Sequence, residues 1–521
     1  MRSTGIVAGM RTTPGASRRA WAGLWVLAAA LAMIVLDGTI VGVALPAMIT
    51  DLRLDLTEAQ WVNSLYAVIF AALLLPAGRL GDRWGRRRLL LLGVITFVTG
   101  SIVAALAGDV SALLAARALQ GVGGAMVLPS TLSTVNATFR GRDRAAAFGV
   151  WGAVMSGAAA LGPLLGGFLT QVASWSLVFW INVPIGIAVV VAALLLVDET
   201  RGSEAGGRGV DVVGPLLSAG GLALIVFGLI ESSSLGWWTP KTSLSLFGLT
   251  WSADALVSPV PVALAAGALL MGAFLAVESR RQRDGRATLL DLRLLRLATF
   301  RFGNITAGLV AVGEFALLFV LPLFLVSPLG LTTLSAGLVL AAMATGAFLS
   351  GAAARHLAAR LGATRVVVLG LALEVVGAAT TALVVAAGGP GWSIALTLLP
   401  YGLGLGLASA QLTSTTLRDV PTALSGAASA TQSTVRQVGA ALGSAVGGTA
   451  LSVALATHRT AEAVADPSAF AAASAAALWV AVAILTVATL TAWALDRAGR
   501  RAPAPATEST PQEMPCSSQP S

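Results

Sequence analysis

The sequence predicts an all-α polytopic membrane protein: two six-helix bundles with two inserted helices between them, fourteen transmembrane helices in all. Three observations lead there. The 521 residues are 56% hydrophobic and only 11% charged, with a mean hydropathy of +0.85, whereas soluble domains run nearer a quarter charged. Apolar runs of about twenty residues, the length that crosses a bilayer as a helix, recur along the whole chain. The basic residues fall in alternate connections between those runs.

Taken in order, the runs place spans at roughly 21–49, 59–78, 88–107, 111–137, 145–170, 175–197, 212–230, 259–277, 300–326, 333–354, 364–387, 392–412, 424–455 and 470–495. The first follows Arg18-Arg19 and is too long for the apolar region of a secretory signal, so it reads as an uncleaved span. The spans divide the chain into an N-terminal tail (1–20), a first bundle (21–197), a linker (198–211), an inserted pair (212–277), a second linker (278–299), a second bundle (300–495) and a tail (496–521). The last is rich in Pro, Ser and Thr and reads as disordered. Residues 231–258, with Trp237, Trp238 and Trp251, read as a loop at the membrane interface, where Trp is favoured, or in part as an extension of the eighth span.

Charge sets the orientation. With the N-terminus in the cytoplasm, 28 of the 33 Lys and Arg residues face inward. Only Arg53, Lys241 and Arg459 face outward, and Arg117 and Arg436 lie within spans. This asymmetry predicts a multi-pass protein of the cell membrane with both termini cytoplasmic, and it favours an even number of spans. It also explains the net charge of +9 without nucleic acid, because the basic residues sit in short loops and not on one soluble face. The single cysteine, Cys516, is in the tail, so neither a disulfide framework nor a cysteine metal site is expected. His356 and His458 are the only histidines and neither lies in an apolar run, which leaves carboxylates to carry any proton path. There is no metal-ligand cluster, no nucleophile with a placed His and no P-loop. An enzyme, a bound metal or cofactor, and the use of ATP are therefore not expected.

An internal repeat supports two related halves. Leu80, Arg83, Gly85 and Arg88, after the second span, recur as Leu357, Arg360, Gly362 and Arg365 after the tenth, with Ala359 in place of Asp82. Parallel repeats of this kind are a standard transporter plan.

Within this frame a few residues have no need to be there for membrane insertion. Asp37 is the only ionisable group between Trp21 and Ile49. A carboxylate at that depth costs a few kcal/mol and marks a functional site with a partner to be found, unless it is simply protonated or bonded to Thr39 or a neighbouring Ser or Thr. Arg117, in the fourth span, is its natural counter-charge, although a position two turns from a helix start also allows snorkelling. Gln120 extends the polar group, and with Glu314 of the ninth span is assigned to a substrate cavity. Glu374 lies mid-span in the eleventh run and either faces neighbours or pairs with Arg436; Glu231 reads as a solvated helix end. In the turn after the second span, Gly78, Gly81 and Gly85 allow close approach, Asp82 is available to cap a helix start or to pair with an arginine across the bundle, and Arg83 and Arg86 are grouped with it as a conformational latch. In the fifth span, Gly162 and Gly166 form a four-residue small-residue spacing for close helix contact, flanked by Gly157 and Gly167, and Pro163 interrupts the helix.

The motifs resemble those of the fourteen-helix drug:proton antiporters of the major facilitator superfamily, over about residues 20–496. Leu36–Pro46 resembles the first-helix motif, with Gly42 where Asn is usual. Gly78–Arg88 resembles the cytoplasmic loop motif, Arg117–Gly124 the fourth-helix motif, and Gly157–Gly167 the fifth-helix antiporter motif. Trp175 and Asn182-Val183-Pro184-Ile185-Gly186 resemble the sixth-helix signature. The resemblance implies alternating access, with Asp37 as the proton-binding acid, Arg117 as its modulator and Asp82 as a latch between the halves. It implies export of hydrophobic or cationic amphipathic compounds such as antibiotics by a monomer in a lipid bilayer, driven by protons. A dedicated exporter of one native metabolite and a solute:proton symporter are the alternatives.

Overall fold

The computed structural model describes residues 17–201, 211, 213–246, 249–286, 288–421, 424–457 and 466–501. Some side chains of 141–160, 245–249, 425–427 and 498–501 fall outside that set. The expected tails 1–16 and 502–521 and the linker stretch 202–210 lie outside the described residues.

The chain is built from long helices: α1 (Arg18–Leu52), α2 (Leu56–Trp84), α3 (Arg86–Ala105), α4 (Val110–Thr138), α5 (Gly141–Val172) and α6 (Leu177–Leu196, with a break at Ile181). They continue as α7 (Val213–Ile230), α8 (Pro259–Arg283), α9 (Ala298–Val326), α10 (Thr333–Leu361), α11 (Ala363–Ala386), α12 (Gly391–Thr416), α13 (Ser425–Thr457) and α14 (Pro467–Arg501). Among the described residues thirteen helices are long and apolar enough to cross a membrane. The fifth expected span falls on α5, a helix of 32 residues of which Leu161–Val172 stands out as a shorter apolar segment.

Capping chemistry decides where the helices begin. Asp55 Oδ1 accepts from Glu58 N at 2.7 Å while Glu58 Oε2 accepts from Asp55 N at 2.9 Å, a reciprocal pair that opens α2. Asp109 opens α4 by accepting from Ala112 N at 2.9 Å, and Thr332 opens α10 by accepting from Ser335 N at 3.2 Å. These three caps lie at one end of the bundle, where loop arginines are few. The opposite, arginine-rich end holds the two turns of the internal repeat. There Gly85 (φ 122°) joins α2 to α3 and Gly362 (φ 89°) joins α10 to α11, each donating its N–H to the carbonyl four residues back. Both need a positive φ that only glycine adopts here without strain, so the repeated sequence has a repeated backbone cause.

The helices sort into sets. α1–α6 pack mainly on one another, as do α9–α14, and α7 pairs with α8 and packs on α2 and α13. Two main contacts bridge the sets, α2 with α13 and α5 with α10, with smaller ones of α1 on α9 and α10. Counting the inserted pair, α10 is the counterpart of α2 and α13 of α5, so these two contacts are equivalent under the repeat. α7 and α8 meet through small residues: a side-chain carbon at Gly267 would lie 2.9 Å from Gly221 O.

Two expectations are corrected. The loop 231–258 contains a helical turn, Ser232–Leu235, and a β-hairpin in which β1 (Leu244–Leu246) pairs antiparallel with β2 (Leu249–Trp251). Trp251 Nε1 closes the segment by donating to Val257 O at 2.9 Å. Glu231 is not a solvated helix end. Its Oε1 accepts from Trp61 Nε1 of α2 at 2.9 Å and its Oε2 from Ser234 Oγ at 2.6 Å, which ties the inserted pair to α2.

The glycine turn gives a direct test. A side-chain carbon at Gly85 would stand 2.7 Å from the Glu199 carboxylate, whereas one at Gly157 would meet nothing within 4 Å. Gly85→Ala is expected to cost about 2 kcal/mol and lower the thermal midpoint in detergent. Gly157→Ala is expected to leave the midpoint unchanged or slightly raised, because alanine is the better helix former.

Candidate functional site

Asp37 and Arg117 meet. Arg117 Nη1 donates to Asp37 Oδ2 at 2.6 Å, and the two side chains are 0% and 1% exposed. Arg117 therefore turns inward and does not snorkel. Its Nε donates to Val62 O at 3.1 Å, its Nη1 also reaches Gln120 Oε1 at 2.8 Å, and its guanidinium carbon lies 4.4 Å from the centre of the Tyr66 ring. Stacking on an aromatic face is a favourable seat for a planar cation.

The carboxylate is satisfied on both oxygens. Asp37 Oδ1 accepts from Gln120 Nε2 at 3.0 Å and from Asn182 Nδ2 at 2.9 Å. Ser101 Oγ accepts from both amides, at 2.9 and 3.2 Å, and donates its own O–H to Phe97 O at 3.0 Å. Five helices thus converge on one charge: α1 supplies Asp37, α2 Tyr66, α3 Ser101, α4 Arg117 and Gln120, and α6 Asn182. Thr39 takes no part, since its hydroxyl donates to Leu36 O of its own helix at 3.1 Å.

Gln120 is fully buried in this cluster and does not line a cavity with Glu314, which corrects that assignment. Glu314 lies on α9, half-buried, with Oε2 unpartnered among the described residues. Glu374 on α11 is 0% exposed, and neither of its oxygens has a hydrogen-bond partner among the described residues. Sequence reasoning gave Ser101 and Tyr66 no role and met Asn182 only inside a motif. A serine or tyrosine in an apolar run is too common to stand out.

The loop residues gather at the arginine-rich end. Asp82 Oδ1 accepts from Arg86 Nε at 2.9 Å and Nη2 at 2.7 Å, and Arg86 Nη1 donates to Ser133 O of α4 at 3.0 Å. The Asp82 side chain thus bonds within its own set of helices here, not across the halves. Gly78 packs on Pro129, Gly81 on Leu89, and Arg83 is exposed. Glu199, missed in the sequence, accepts from Arg87 N at 3.0 Å and Arg88 N at 3.3 Å, placing an anion at the start of α3.

α5 is where the antiporter-like spacing acquires a geometry. Side-chain carbons at Gly162 and Gly166 would collide with α1, the first 2.8 Å from Thr39 Cβ and the second 2.7 Å from Ile40 O. One residue round the helix, Pro163 and Gly167 face α10 instead. A side-chain carbon at Gly167 would lie 3.0 Å from Leu334 Cα, and one at Gly337 would strike Pro163 O. Gly157 makes no such contact. α5 is therefore wedged between the helix that carries Asp37 and the facing set. Beside it, at the arginine-poor end, a crevice of about 620 Å³ is lined by Thr50, Asp51, Thr170, Trp175 and Thr333. There Trp175 Nε1 donates to Asp51 Oδ2 at 2.7 Å.

Two sets of membrane-length helices, joined through glycine-lined contacts and holding an ion pair at bilayer depth, define a multi-pass helical membrane transporter. The chain belongs to the Major Facilitator Superfamily, whose profile matches residues 27–444. It is 34% identical to the probable actinorhodin transporter of Streptomyces coelicolor, over 83% of this chain and 72% of that protein. It is 32% identical to the tetracenomycin C resistance and export protein of Streptomyces glaucescens, over 83% and 76%. It is 34% identical to the multidrug efflux pump LfrA of Mycolicibacterium smegmatis, over 82% and 81%. The fold is shared with a bacterial homolog of the human lysosomal transporter Spinster solved in an inward-facing, unoccupied conformation (TM-score 0.61, 16% identity, 93% of this chain and 98% of that one). The relatives are transporters and exporters, not enzymes.

Removing one partner of a buried pair leaves an uncompensated charge, which typically costs 3–5 kcal/mol, about that much being expected for Arg117→Leu. Asp37→Asn in the Arg117→Leu background removes the stranded charge. Thermal unfolding of the two single variants and the double variant in detergent is expected to show the double variant more stable than Arg117→Leu alone.

Proposed function

We propose that this chain exports hydrophobic or cationic amphipathic compounds, antibiotics among them, across the cell membrane in exchange for protons. The observation that carries the reading is the fully buried Asp37–Arg117 pair, a carboxylate held at bilayer depth by donors from two other helices. Intramembrane acids of this kind mark ion and proton paths. The named activities of the relatives supply the direction and the substrate class.

In this reading the two sets of helices rock about the α2–α13 and α5–α10 contacts. Asp37 takes a proton when it opens to the acidic side and gives it up on the other side as substrate enters. Proton and substrate bias the same equilibrium, and that competition is the coupling. Arg117 stabilises the empty, charged acid and releases it on protonation. Asp82, with Arg86, holds the α2–α3 turn to α4 in one access state. Glu314 reads the positive charge of the cargo. The orientation follows the arginine asymmetry, with both termini cytoplasmic, and the chain works as a monomer. Relatives named for a single compound, actinorhodin or tetracenomycin C, favour a second reading: one native metabolite as the principal cargo. A drug panel in a sensitive strain separates broad from narrow export.

Two measurements test the reading. In vesicles with an imposed pH gradient, Asp37→Asn, which mimics the protonated acid, is expected to abolish uphill efflux while counterflow persists. Uphill transport at the wild-type rate by that variant removes Asp37 as the carrier. Glu314→Gln is expected to weaken resistance to cationic compounds roughly tenfold, about 1.4 kcal/mol of binding, and to affect neutral ones less. Equal loss for both classes removes Glu314 from charge recognition.

A further inference from the structure

We propose that Glu374 is a second proton carrier, located in the α9–α14 set, loaded in the conformation described here and discharged through Glu314. The proposal rests on the proton-coupled reading above and adds an acid to it.

Glu374 stands midway along α11 against α12. A side-chain carbon at Gly404 of α12 would lie 2.9 Å from Glu374 Cγ, and one at Gly377 would lie 2.6 Å from Tyr401 Cα. The two helices are thus packed backbone to backbone around this residue. Tyr401, one turn before Gly404, is itself 0% exposed and has no partner for its hydroxyl among the described residues. Among the described residues no donor reaches either oxygen of Glu374, and the residue is 0% exposed. An ionised carboxylate in such a seat has lost its hydration and gained nothing in return, a cost of many kcal/mol. The neutral acid forfeits only ordinary hydrogen bonds. The contrast with Asp37, which accepts three hydrogen bonds, one from a guanidinium, is direct. In one and the same conformation the first set presents an acid surrounded by donors and the second an acid surrounded by none.

A carrier also needs an exit. Among the described residues, the charged groups that act on Glu374 are Glu314 on α9 and Arg436 on α13, both less completely enclosed than Glu374. α12 contributes Tyr401. α10 and α14, which also pack on α11, carry their ionisable residues toward the arginine-rich end: Arg355, His356 and Arg360 on α10, Asp496 and Arg497 on α14. Glu374 and Glu314 share no hydrogen bond in this conformation, so the transfer belongs to the next one: the Glu374 O–H bond breaks and a carboxylate oxygen of Glu314, brought within reach by the rearrangement, takes the proton. The negative charge left on Glu374 is then compensated by Arg436. α13 carries Arg436 and is also the helix that packs on α2 across the interface between the sets.

The test uses the full chain. In the infrared spectrum of the purified protein at neutral pH, a deuterium-sensitive C=O band of a protonated carboxylic acid without hydrogen-bond partners is expected, and is expected to vanish in Glu374→Gln. In proteoliposomes, the number of protons exchanged per tetraphenylphosphonium, read from the pH gradient at which net flux reverses, is expected to fall by one in Glu374→Gln and to recover in Glu374→Asp. Glu374→Gln keeps the shape and neutrality of the protonated acid, so a purely structural role leaves that number unchanged. A band that persists in Glu374→Gln overturns the proposal, as does an unchanged proton number. Wild-type flux indifferent to the pH gradient overturns the proton-coupled reading itself and the carrier role with it. A coupled wild type beside an unaltered Glu374→Gln overturns the second carrier alone.

Discussion

A carboxylate that no water reaches has to be neutralised by the protein around it, and the first set of helices is arranged to do this for Asp37. α1 brings the charge, α4 answers it with a guanidinium and an amide, and α6 adds a second amide. α3 supplies the serine that orients both amides, and α2 the aromatic face beneath the guanidinium and the Val62 carbonyl that anchors it. Each helix in the network is held by a bond that is costly to break in a medium of low dielectric. Five of the first six helices are thereby tied through one side chain, which favours their movement as a unit.

The contact between the sets has the opposite chemistry. α2 meets α13 and α5 meets α10 through small residues and backbone, where glycine removes the side chain that would hold the helices apart. Along α5 the same short stretch serves two neighbours. Gly162 and Gly166 lie against α1, and Pro163 and Gly167 against α10, because adjacent residues project about 100° apart on a helix. Such a seam is rich in van der Waals contact and poor in directional bonds, which suits surfaces that slide. The chemistry of the cluster and that of the seam are linked by position: Thr39 and Ile40, the α1 residues against Gly162 and Gly166, follow Asp37 within one turn.

The arginine-rich end shows how motif residues acquire partners outside their motif. Asp82 and Arg86 pair across the α2–α3 turn, but the carbonyl that completes the arginine belongs to Ser133 of α4. The backbone N–H groups at the start of α3 are met by Glu199, which follows α6 by a few residues. The turn is therefore closed by two other segments of the same set. At the opposite end of α2, Trp61 is held by Glu231 from the inserted pair, so α7 is anchored to α2 by a buried-edge hydrogen bond as well as by apolar packing.

The sequence by itself determined the helices, because their length and apolar content follow from the chain and from bilayer thickness without reference to any neighbour. The Asp37–Arg117 partnership was legible because a lone acid and a lone base in apolar runs have few alternatives to each other, and the repeated glycine turns because the repeat is local in sequence. What only the tertiary structure decided is which ordinary polar residues stand beside them. Ser101, Asn182, Tyr66 and Glu199 carry no local signal, since each is compatible with a membrane helix or a loop in any orientation. Gln120 was legible as an extension of the Asp37–Arg117 group but not as separate from Glu314, because helix periodicity gives a face and not the helix that the face meets. The hairpin at 244–251 was likewise beyond reach, as six residues pair only when the flanking helices bring their ends together. Local physics fixes what each segment is; the partner across a helix interface depends on how whole helices pack, and that information is spread over residues far apart in the chain.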